Sequence, residues 1–136
     1  MSHAYTVALR FSGVLLDPTM MSDKLSLPAS HSGVALPASR VPGRMPFWAY
    51  NGHDQEGFQD EWTSLEAGLA FLLNALHSRK SAILPLSRQF DGCWWCGHFQ
   101  SSINGGPTLP AGLMLDLGSY GMPLCLDHYF SDGPAG

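Results

Sequence analysis

The sequence predicts one α+β domain over residues 1–136: a mixed, mainly antiparallel sheet covered by one long helix and two short ones, with ferredoxin-like βαβ units. Three observations carry this prediction. Tyr5, Val7, Leu9 and Phe11 alternate with Thr6, Ala8, Arg10 and Ser12, the two-residue period of a strand with one buried face. Leu65, Leu69, Leu72, Leu73 and Leu76 recur at helical spacing. The chain, at 136 residues and 45% apolar, has the size and composition of one domain with a single core.

In chain order, Tyr5–Ser12 is the first strand. Asp17-Pro18 then supplies a cap and a first helical residue that has no amide hydrogen to lose, so a short helix is expected over Thr19–Leu25, stopped by Pro28. Pro37, Pro42, Gly33 and Gly43 break any long element between Ala29 and Arg44, which reads as an extended segment with turns. Pro46–Tyr50 is a short strand ended by Asn51-Gly52, and His53–Asp60 is a polar surface loop. Thr63-Ser64-Leu65-Glu66 has the spacing of a capping box and opens the long helix, which is expected to end near Arg79 with His77, Arg79 and Lys80 at the negative end of its dipole. Ile83–Leu86 is apolar but too short for periodicity to type.

Cys93–Ser102 holds two of the three cysteines, two of the four tryptophans and no charged residue. It reads as an inner strand with polar cargo, broken at Asn104-Gly105-Gly106-Pro107. That loop invites a phosphate-binding reading, but no Lys-Ser/Thr pair follows and Pro110 removes an amide, so a turn into a helix is preferred. The second short helix begins at Thr108-Leu109-Pro110, turns Leu113 and Leu117 inward and stops at Gly118 or Gly121; Leu124–Phe130 is the last strand, and 131–136 is a flexible tail. The strand–loop–helix–strand order occurs twice, as a weak pseudo-repeat of βαβ units.

Several of these segments together resemble a family of uncharacterised, mostly bacterial domains, domain of unknown function number 4279. They are Leu16-Asp17-Pro18, the basic-proline loop between Ser30 and Phe47, Trp62–Glu66, Trp95-Cys96-Gly97-His98-Phe99-Gln100-Ser101-Ser102, Gly105–Leu109 and Leu126–Tyr129. The resemblance spans nearly the whole chain and implies a fold and an order of elements. It brings no mechanism.

Composition limits the function classes. Charged residues are only 13% of the chain and the net charge is −4, without the basic stripe that a nucleic-acid partner requires. The longest nearly apolar run, Leu69–Leu76, is far short of the roughly 20 residues that span a bilayer, so no membrane partner is expected. An odd count of three cysteines and no leader pattern point to a cytoplasmic setting.

The preferred function is a non-enzymatic protein-binding module, in its finer form an immunity-type protein that blocks a bacterial toxin. Its contact surface is the strand face of Trp94, His98 and Gln100 with Ser102 beyond it, and Arg40 and Arg44 on the earlier loop are further binding residues for an anion or an acidic partner. The alternatives are a small ligand-binding protein or hydrolase using Cys96, His98 and Asp127, and a structural zinc domain. Cys93, Cys96, Cys125 and His128 are soft donors of the kind that suit tetrahedral zinc, although residues three apart on a straight strand point to opposite faces. No cofactor is expected, zinc being the alternative. Oligomeric state is left open.

Overall fold

A computed structural model describes residues 3–34 and 45–130. Its centre is β1 (His3–Ser12), where Tyr5, Val7, Leu9 and Phe11 are buried on one side. Strands β2 (His31–Gly33), β3 (Phe47–Tyr50), β4 (Asp91–Gln100) and β5 (Leu124–Phe130) complete a five-stranded sheet in the order β2-β3-β1-β4-β5. β1 is antiparallel to β3 and β4, while β5 is parallel to β4. The sheet is therefore mixed and mainly antiparallel.

Helix α1 (Pro18–Leu25) is capped as its sequence dictates, with Asp17 accepting the Thr19 amide. Helix α2 (Leu65–Leu76) takes its cap from Ser64, which accepts the Ala67 amide, one residue later than the expected start at Thr63. Nor does the helix end near Arg79: a 3₁₀ turn at His77–Arg79 leads straight into α3 (Lys80–Gln89), a helical run of 25 residues with Pro85 inside it. The apolar Ile83–Leu86 piece is thus helix. Arg79 does serve a helix end, but another one: its Nε and Nη2 donate to the carbonyls of Leu25 and Ser26, the last carbonyls of α1. Helix α4 (Ala111–Gly118) joins β4 to the parallel β5. The strand that follows α1, β2, also runs parallel to β1, since both are antiparallel to β3, but β3 lies between them; only in the second unit are the two parallel strands direct neighbours.

All described helices contribute to one core on one face of the sheet. Met21 and Leu25 of α1, Leu69, Leu72 and Leu76 of α2, Ile83 and Leu86 of α3 and Leu117 of α4 pack with Leu9, Phe11, Trp48 and Trp94. Each fully buried leucine contributes roughly 1.5–3 kcal/mol, so this single layer contact is enough to orient the sheet. The opposite face carries Thr6, Ala8, Arg10, Cys93, Trp95 and Phe99, only partly covered or exposed. β2 was expected only as extended chain; three residues are too few for an alternation to show. The tail at 131–136 lies outside the described residues.

Candidate functional site

Strand alternation decides which expected residues meet. Trp94, Cys96, His98 and Gln100 do share a face of β4, but it is the helix-covered one: they are 0, 0, 2 and 8% exposed. The expected contact surface is therefore interior. Trp94 donates its indole N–H to the Leu117 carbonyl of α4 at 3.0 Å and meets the Tyr120 ring edge-on, which ties β4 to the crossover helix. Ser102 accepts the Asn104 amide at 3.0 Å and shapes the loop after β4. Arg40 and Arg44 lie outside the described residues.

The hydrolase set is not assembled either. In the β4–β5 register Cys96 sits beside Leu126 and Asp127 beside Gly97, so Asp127 points to the opposite face from Cys96 and His98. Burial, together with the neighbouring thiols, pushes the Cys96 thiol up to about 12, which removes the thiolate a nucleophile needs. The zinc set is split in the same way. Cys93 and Cys125 lie on the open face and Cys96 and His128 on the helix face, and no group of three or more such ligands converges among the described residues.

At the end of β4 the helix face holds an arrangement that sequence reasoning missed. Nδ1 of His3 is 2.8 Å from Nε2 of His98, Nδ1 of His98 is 3.0 Å from Nδ1 of His128, and Nε2 of His3 is 2.8 Å from the Asn104 carbonyl. One carbonyl orders the whole chain of three neutral rings. A carbonyl only accepts, so His3 carries its proton on Nε2 and accepts on Nδ1. His98 must then donate from Nε2 and accept on Nδ1, and His128 donates from Nδ1. Both nitrogens of His98 are occupied by different rings, so the three histidines form a line and no common ligand point. Tyr5 stacks on His98 at 4.6 Å, and burial, followed by the charges of His3 and His128, holds the His98 pKa below its usual 6.5. No sequence signal relates His3, His98 and His128; only the register Tyr5↔His98 and His98↔His128 brings them together.

The open face is the accessible one. Phe99 and Tyr129, neighbours in the β4–β5 register, stack at 4.9 Å with 37 and 44% of their surface exposed. Phe99 also lies over Gly97, where an added Cβ would come within 3.1 Å of its ring and 2.7 Å of Thr6 Oγ1. Trp95 donates its indole N–H to Asp127 Oδ2 at 2.8 Å, which fixes a large aromatic surface in one orientation. Arg10 lies over the Phe47 ring, 4.7 Å from its centre. Cys93 and the exposed Cys125 sit beside these groups, and burial, then the charge of and hydrogen bond to Cys125, pushes Cys93 up to about 12.

No helix of the described residues is long and apolar enough to cross a membrane. No curated protein and no solved structure matches the chain. The model of one family, the domain of unknown function DUF4279, matches residues 3–131. That match takes in every described strand and helix from β1 to β5, so the chain belongs to the DUF4279 family.

Proposed function

We propose that this chain is a protein-binding module whose recognition surface is the open face of the sheet. The observation that carries the reading is the one-sided layering: every described helix packs on one face, and among the described residues no helix lies over Trp95, Phe99 and Tyr129 on the other. Fixed aromatic side chains make good interface anchors because they bury much area and lose little side-chain entropy on binding. Trp95 is fixed by Asp127 and Phe99 by Tyr129 and Gly97, while Arg10 and Asp127 supply the polar margin. In its finer form the partner is a bacterial toxin and the chain its immunity protein. Three unpaired cysteines suit a reducing cytoplasm for both.

Photo-crosslinking tests the surface. A benzophenone amino acid in place of Phe99 is expected to capture a protein that the same group at Leu115, exposed on α4, does not. The captured protein, purified, is expected to form a stoichiometric complex that Phe99→Ala weakens. Equal capture from both positions, or a reconstituted complex indifferent to Phe99→Ala, contradicts the reading.

A further inference from the structure

Beside the aromatic pair, the open face sinks into a depression of about 470 Å³. Side-chain size explains it. The floor is Thr6 and Ala8 of β1 with Ala49 of β3, three small residues where neighbouring positions carry Trp95, Phe47 and Arg10. A sheet face with small residues at its centre and rings around them is concave. The volume falls in the range of small-molecule sites, roughly 300–1,000 Å³.

Two groups inside it lack the partners their chemistry calls for. Arg10 is held over Phe47, half-buried, yet among the described residues none of its guanidinium N–H groups has a hydrogen-bond acceptor and no carboxylate pairs with it. A guanidinium fixed by stacking keeps its planar fork of donors free for an oxyanion. Asn51 is the second. Its Oδ1 already accepts from the Ser30 hydroxyl at 2.7 Å and the His53 amide at 3.0 Å, which leaves its NH₂ as the free polar group on that wall. Trp95, Phe47 and Phe58 supply the apolar sides. Asp60, exposed on the rim, offsets part of the Arg10 field and disfavours a dianion such as a phosphate monoester.

We infer that this depression binds a small organic monocarboxylate with a flat apolar body, its carboxylate on Arg10 and Asn51 and its body against Trp95 and Phe47. The site shares Trp95 and Arg10 with the proposed recognition surface but not the Phe99–Tyr129 pair, and binding of a small acid to it requires no protein partner.

Titration of ¹⁵N-labelled full-length chain tests it, with phenylacetate and indole-3-acetate as probes and phenethylamine as the cation of matching shape. The acids are expected to shift the amides of Ala8, Ala49 and Asn51 and the Trp95 indole N–H saturably. Arg10→Met is expected to weaken them roughly tenfold or more, the worth of one charge-assisted hydrogen bond, with Leu115→Ala neutral. Should Arg10→Met unfold, Arg10→Lys, which keeps the charge and loses the fork, must still weaken binding. No saturable shift by either acid, equal binding of phenethylamine, or acid binding unchanged in the folded Arg10 variant overturns the inference.

Discussion

His98 Nε2 lies 2.8 Å from His3 Nδ1 in the buried end of the sheet, and burial first, then the neighbouring His3 and His128, make that end sensitive to acid. In the folded chain the His98 pKa is held below 6.5, whereas in the unfolded chain it returns to that value. The unfolded state therefore binds the proton first as pH falls. Stability from this group is complete above 6.5 and is lost as pH drops from there through the folded pKa. The urea midpoint is expected to fall between roughly pH 8 and pH 5, with His98→Gln flattening that limb, since His is the side chain that titrates there. At neutral pH, His98→Ala, which leaves Nδ1 of His3 and Nδ1 of His128 without the ring they face, is expected to cost about 1–3 kcal/mol. A midpoint equally steep in His98→Gln contradicts this.

The adjacent tryptophans separate the two faces. Trp94 is wholly buried and bonded to the Leu117 carbonyl, while Trp95 is part-exposed and bonded to a surface carboxylate. Trp94→Ala is expected to lower unfolding free energy by about 3–5 kcal/mol, as core aromatic truncations do. Trp95→Phe, which loses one accessible hydrogen bond, is expected to cost about 1 kcal/mol or less. Denaturant titration of both variants checks the order, and its inversion would reverse the assignment of inside and outside.

Gly92 marks a close approach that no side chain can enter. A Cβ there would stand 2.5 Å from Met122 Sδ and 2.6 Å from Phe11 Cε1. Gly92→Ala is therefore expected to destabilise by about 1–3 kcal/mol through overpacking, read as a shift in urea midpoint with unchanged slope.

Thiol chemistry follows burial. Cys93 and Cys96 are each pushed up to about 12 and Cys125 is exposed. At neutral pH only a minute fraction of either of these two thiols is thiolate, the form that reacts. Iodoacetamide followed by peptide mass mapping is expected to label Cys125 first, Cys93 slowly and Cys96 only on unfolding. Early labelling at Cys96 would be incompatible with its place in the core.

Much of the fold was legible because each element carries its own period or cap: the alternation of Tyr5–Ser12, the Asp17-Pro18 start and the leucine repeat of α2 all appear where the residues require. The alternation of β4 was legible too, but not its polarity. Both of its faces carry large apolar groups, Trp94 and Cys96 on one and Trp95 and Phe99 on the other, so local pattern could not say which is covered. Pairing decides it, since β1 brings Val7 to Cys96 and Leu9 to Trp94 on its buried side. The histidine line escaped for the same reason: its members are 95 and 30 residues apart and meet only through strand order. Helix α3 was hidden by Pro85 and by Arg79, whose charge suggested a terminus that belongs to α1.

The affinity of the captured partner for a face-selective set of variants is the measurement that bears most directly on the open sheet as recognition surface. Phe99→Ala and Tyr129→Ala are each expected to weaken the complex by about 2 kcal/mol or more, the scale of an anchor residue, while Leu115→Ala on the helical side leaves it unchanged. Loss of binding from Leu115→Ala with full binding in the Phe99 and Tyr129 variants would place the partner on the helices and contradict the account.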